Sequence, residues 1–116
     1  MRVKRGIVSR RKHNKLLELA KGYRGTRSRL IRTAKQAVLQ AGQYAFQGRK
    51  NRKKDMRTLW ITRISEAVKP YEISYSTFIH KLHQSKIELD RKVLSDLIVH
   101  DPETFKIIVD HVKSSN

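Results

Sequence analysis

From Leu30 to Val68 apolar side chains recur in steps of three and four. They fall at Leu30/Ile31, Ala34, Ala37/Val38, Ala41 and Ala45/Phe46, then at Met56, Leu59/Trp60, Ile64 and Ala67/Val68. That step is the helix period, and no proline interrupts the chain between Thr26 and Pro70. The pattern predicts one continuous helix from about Ser28 to Lys69, roughly 60 Å long at ~1.5 Å per residue, stopped by Pro70. Gly42 and Gly48 each weaken it by about 1 kcal/mol relative to alanine, so either is a place for a bend. Upstream, Arg10 to Lys21 reads as a shorter helix with Leu16, Leu17 and Ala20 on one side. Gly22 closes it and Gly25 belongs to the following turn. Residues 1–9 show no period and read as an extended tail.

Beyond Pro70 the signals are caps. Ser74 or Ser76 starts a helix carrying Phe78, Ile79 and Leu82, and Asp90 starts another with Val93, Leu94, Leu97 and Ile98 inward. Asp101-Pro102-Glu103 supplies an N-cap, a first-turn proline and an acid near the helix dipole. The helix it opens carries Phe105, Ile108, Val109 and Val112. The expected fold is all-α: a long basic N-terminal helical extension followed by a small C-terminal helical bundle.

Charge turns this outline into two halves of opposite character. Of 116 residues, 27 are Lys or Arg and 10 are Asp or Glu, a net +17. Residues 1–63 hold 20 of the cations against Glu18 and Asp55, whereas residues 64–116 hold seven cations and eight acids. Leu, Ile, Val and Phe make up 13 of the first 63 residues and 18 of the last 53. The first share sits near the level at which a highly charged chain fails to fold alone; the second is ample for a core. We therefore expect a basic arm over 1–63 and a globular domain over 64–116.

So large an imbalance calls for a polyanionic partner. In Arg49-Lys50-Asn51-Arg52-Lys53-Lys54, more than one and a half helical turns, the side chains point in nearly every direction. The five like charges repel. Phosphates on several sides would relieve that repulsion and release condensed counterions. Arg57 and Arg63 extend this cluster. A second consists of Arg2, Lys4, Arg5, Arg10, Arg11, Lys12 and Lys15, with His13 among them as a base or phosphate contact. A third consists of Lys21, Arg24, Arg27, Arg29, Arg32 and Lys35. Tyr23 and Tyr44 lie among the cations and could stack on unpaired bases. Trp60, in helical step with Ile64, reads instead as a core anchor.

Other classes of function lose ground on the same residues. Without cysteine there are no disulfides, thiolate metal sites or thiol nucleophiles. No apolar run approaches a membrane span, and the N-terminus lacks the apolar region of a secretory signal. The basic helix has too few large apolar residues on one face for a membrane surface. His80, His83, His100 and His111 lack the three or four ligands and the supporting shell of a metal site. No phosphate-binding glycine motif is present. A DNA-binding module is the alternative, but its recognition helix would need cations that residues 64–116 do not supply.

The residues also form a familiar series. Arg2-Val3-Lys4-Arg5-Gly6, Ala20-Lys21-Gly22-Tyr23 with Arg27-Ser28-Arg29, and Ala41-Gly42-Gln43-Tyr44-Ala45 resemble the first part of the bacterial-type large ribosomal subunit protein L-twenty family. Arg52-Lys53-Lys54-Asp55-Met56-Arg57 followed by Leu59-Trp60-Ile61-Thr62-Arg63-Ile64 resembles that family's most distinctive stretch. Ile73-Ser74-Tyr75-Ser76-Thr77-Phe78-Ile79 and Ile87-Glu88-Leu89-Asp90-Arg91-Lys92-Val93-Leu94 continue it in order. The resemblance implies a structural, non-catalytic ribosomal protein that binds large-subunit rRNA and supports early subunit assembly. It further implies neighbouring large-subunit proteins as partners, with no cofactor, small-molecule substrate or membrane. The implied location is the ribosome of a bacterial cytoplasm or a plastid. In some bacteria members also repress translation of their own messenger RNA, a role the resemblance extends to this chain as an expectation.

Overall fold

The computed structural model describes residue 2 and residues 4–115; Met1, Val3 and Asn116, and with them part of the expected N-terminal tail, lie outside the described residues. Among the described residues five α-helices run in order: α1 (Gly6–Leu19), α2 (Ile31–Val68), α3 (Tyr75–Gln84), α4 (Arg91–His100) and α5 (Pro102–Ser114). Short 3-10 turns at Gly25–Ser28 and Lys69–Tyr71 flank α2. No strand occurs among the described residues. The fold is all-α. It divides into two compact units, Met1–Lys50 and Asn51–Asn116, with the division inside α2.

In the first unit α1 begins earlier than its apolar pattern indicates. The expected extended tail ends by Gly6, and Ser9 N–H already donates to Arg5 O at 3.0 Å. Ile7 and Val8 are exposed, so this first turn forms through backbone hydrogen bonds without an apolar stripe. The helix ends at Leu19. Ala20 and Lys21 tighten the last turn by donating to Leu16 O and Glu18 O, and Gly22 then takes the left-handed conformation at φ +86°. That conformation suits glycine, which has no Cβ to clash. The start of α2 is delayed to Ile31 because Gly25–Ser28 close a 3-10 turn first. Thr33 Oγ1 donates to Thr26 O (2.9 Å) and Leu30 O (3.1 Å), joining turn to helix. Among the described residues of this unit, Ala20 and Ala34 are the fully buried hydrophobics.

The second unit has a real core. Ile64 and Val68 from the end of α2 pack with Phe78, Leu82, Leu94, Phe105, Val109 and Val112, one from α4 and the rest from α3 and α5. Burial of a Phe, Leu, Ile or Val side chain stabilises by roughly 1.5–3 kcal/mol. The Phe78 and Phe105 rings meet tilted, with centroids 6.0 Å apart, a geometry worth about 0.5–1.5 kcal/mol more. Two expectations change here. Val93 is 41% exposed rather than inward, because the α4 stripe runs through Leu94, Leu97 and Ile98. Trp60 is half-buried and lies outside the core cluster, which starts one turn later at Ile64.

The helix ends follow from local chemistry. Helix α2 continues through Gly42 and Gly48 and stops at Val68; Pro70 lies in the next turn and Glu72 takes φ +60°. Ser74, rather than Ser76, caps α3 by accepting from Thr77 N–H. Helix α3 closes with Lys86 left-handed at φ +56° and Ile87 N–H donating to Leu82 O at 3.2 Å. This is a Schellman-type end in which Ile87 also packs on the core. Asp90 accepts from Val93 N–H at 2.8 Å to start α4.

Asp101 caps α5, accepting from the Thr104 hydroxyl and from Thr104 N–H. The hydroxyl bond first, then the backbone bond, holds its carboxyl below the ordinary carboxylate range. A lowered folded pKa means that the cap's charge-linked stability is fully present above the unfolded value, about 4. It is lost as pH falls through the lower folded value. Thermal melts across acid pH should therefore show a stability increment lost below about pH 4 in the native chain and missing from Asp101→Ala.

Candidate nucleic-acid interface

All 20 Lys and Arg side chains expected to contact nucleic acid are exposed, from Arg2 to Arg63, and so are His13 and Tyr44; Tyr23 is half-buried. Contacts between basic side chains and carboxylates among the described residues join Lys69 to Glu66 and His100 to Asp96. None of the 20 cations takes part in one. Their charges are therefore uncompensated by carboxylates among the described residues. Two of them have other partners: Lys50 Nζ stands 4.7 Å from the centre of the Phe46 ring, and Arg63 Nη1 donates to the buried Ser95 Oγ at 3.3 Å. Arg63 thereby differs from the other cations in being tied to the helical core unit.

The first unit displays its cations on α1 and around the turn that follows. Arg10, Arg11, Lys12, His13 and Lys15 lie along α1, which starts beside Lys4 and Arg5 with neither a side-chain cap nor an acid in its first turn. Helix dipoles favour anions at that end, so the sequence supplies the unfavourable sign. Lys21, Arg24, Arg27 and Arg29 follow through the turn, and Arg32 and Lys35 occupy the start of α2.

In the same unit an open groove of about 690 Å³ is lined by Gly22, Tyr23, Arg24, Arg27, Ala37, Gln40, Ala41 and Tyr44. Positions 37, 40, 41 and 44 form one stripe of α2 by the i, i+3, i+4, i+7 rule. The left-handed Gly22 reverses the chain before Tyr23, whose N–H donates to Ala20 O at 3.1 Å. The structure thus gathers both tyrosines and two arginines from the candidate set. The alanines and Gln40 were missed from sequence, although their helical spacing with Tyr44 was available.

Every residue from Leu39 to Leu59 is exposed. The large apolar members of this stretch, Leu39, Tyr44, Phe46, Met56 and Leu59, are exposed, and none belongs to the core cluster. In the second unit Arg52, Lys53, Lys54 and Arg57 spread over roughly 200° of the helix circumference at ~3.6 residues per turn. Asn51 and Asp55 occupy the remainder. Such a spread is wider than the face a helix presents to a single flat surface.

Trp60, Arg63, Val93 and Leu97 line a second groove in that unit. His80, His83, His100 and His111 are exposed, with His100 Nδ1 3.0 Å from Asp96 Oδ1. No cluster of three or more His, Cys, Asp or Glu suited to a metal ion occurs among the described residues. Nor is any described helix long and apolar enough to cross a membrane.

Known proteins are similar to this chain over almost all of it. The family model described as Ribosomal protein L20 matches residues 2–108. The chain belongs to the ribosomal protein L20 family. It is 53% identical over 114 residues to the large ribosomal subunit protein bL20 of Burkholderia ambifaria (strain MC40-6), covering 98% of this chain and 96% of that protein. The bL20 proteins of Paraburkholderia phytofirmans and Burkholderia cenocepacia show the same identity and coverage. Membership in the L20 family agrees with the exposed cations and with the absence of a catalytic constellation from the sequence reading. It removes support from the DNA-binding alternative.

Proposed function

We propose that this chain is a structural, non-catalytic constituent of the large ribosomal subunit that binds rRNA directly through residues 1–63. Membership in the L20 family supports the ribosomal role. The observation supporting the placement of the contact on the arm is the set of 20 exposed cations with no carboxylate partner among the described residues. Such an arm neutralises converging phosphates and lets RNA helices pack where they would repel, a role in subunit assembly rather than peptidyl transfer. Residues 64–116, nearly neutral, form a globular domain, and neighbouring large-subunit proteins are further partners of the chain. The location proposed is the ribosome of a bacterial cytoplasm or of a plastid. Repression of translation of the chain's own messenger RNA is a secondary role in this proposal.

The expected signature is steep salt dependence. With six to ten phosphate contacts, affinity for large-subunit rRNA falls by about 10³–10⁵ between ~50 and ~200 mM monovalent salt. Filter binding over that range, with duplex DNA as competitor, measures it. A flat salt response would remove phosphate neutralisation as the mechanism. Equal competition by DNA would return the basic DNA-binding module to favour.

A further inference from the structure

We propose that the groove beside Gly22 receives a single unpaired base of rRNA, stacked on the Tyr23 and Tyr44 rings, with Arg24 and Arg27 holding the flanking phosphates. The proposal rests on the reading of residues 1–63 as the RNA-binding element and names what one part of it recognises.

Four features favour a base over a phosphate alone. The groove's lining includes two tyrosines, one half-buried and the other 65% exposed and accessible. Its α2 side is built from Ala37 and Ala41, whose short side chains leave room for a flat ring against the helix. The volume, about 690 Å³, falls within the range of small-molecule pockets. Gln40 offers an amide with both donor and acceptor capacity, the pairing needed to read a base edge. Arg24 and Arg27 at the same groove supply charge that matches an RNA backbone and would repel a basic protein segment. Unpaired bases of folded RNA are recognised in this way, by stacking and edge contacts.

The test uses the full chain and large-subunit rRNA, with Tyr23→Leu/Tyr44→Leu, Tyr44→Leu alone, and Tyr23→Phe/Tyr44→Phe. Loss of a stacked base weakens binding by roughly 5- to 150-fold. The double leucine variant should lose affinity in that range with an unchanged salt slope, because no phosphate contact is removed. The phenylalanine pair should bind as the native chain does. Tyr44→Leu alone, at an exposed position, should show part of the loss and guards against misfolding around Tyr23. Chemical probing should find one unpaired nucleotide shielded by the native chain and the phenylalanine pair, but open with the leucine pair. Native affinity and shielding in the leucine pair would overturn the groove assignment, and so would a loss accompanied by a shallower salt slope. Failure of the native chain itself to bind rRNA would instead bring down the arm reading on which the proposal stands.

Discussion

Replacing Arg52, Lys53, Lys54 and Arg57 together with alanine is expected to weaken rRNA binding by about 10²–10³ at ~0.15 M salt and to flatten the salt slope by roughly four units. The size follows from counterion release: each phosphate left without its cation takes away close to one unit of slope, and four cations are removed at once. The usual objection to such a variant is that the helix itself is lost. Here the substitution acts the other way. Alanine is the best helix former, and the change abolishes like-charge pairs one turn apart, such as Lys53 with Arg57 and Lys54 with Arg57. None of the four side chains is ion-paired among the described residues, and none touches the core cluster. Thermal stability of residues 64–116 should therefore stay within about 0.5 kcal/mol of the native chain while binding collapses. Undiminished filter binding would show that this stretch of α2 does not bind the RNA.

Legibility from sequence depended on what kind of force shapes each segment. The caps at Ser74, Asp90 and Asp101 and the left-handed Gly22 were readable, because each is a local bond or dihedral that one residue type satisfies. So was the core of α3 and α5, where Phe78, Leu82, Phe105, Val109 and Val112 keep the helix period. The turn Gly6–Ser9 was not readable: it is helical with no buried side, and periodicity records only burial. Trp60 misled for a related reason. Its spacing with Ile64 places it on the core stripe of α2, but the packed layer begins one turn later, and a stripe does not announce where its partners start. The groove was half-legible, with Tyr23, Tyr44, Arg24 and Arg27 named individually and only the fold bringing them together.

Exposure along α2 carries a second large effect, on stability rather than affinity. Amides of residues 39–59 should exchange with solvent almost as fast as in an unfolded chain when rRNA is absent, while those of Leu82, Leu94 and Val109 are protected by a factor on the order of 10³ or more, as the global stability of a small domain allows. A solvated helix depends on its own propensity, which is marginal without packing. Gly42 and Gly48 each subtract about 1 kcal/mol. Arg49 lies one turn from Arg52 and Lys53, and Lys50 from Lys53 and Lys54, each pair costing roughly 0.2–0.5 kcal/mol. Anions packed against the helix reverse the sign of the like-charge terms, so adding large-subunit rRNA should slow exchange across 39–59 and leave Leu82, Leu94 and Val109 nearly unchanged. Raising salt without RNA screens the repulsion but supplies no fixed partners, and should restore only a small part of the protection. Equal protection of both regions in the free protein would mean that α2 holds itself up. Phosphate binding would then be a property of a preformed helix rather than the condition for its order.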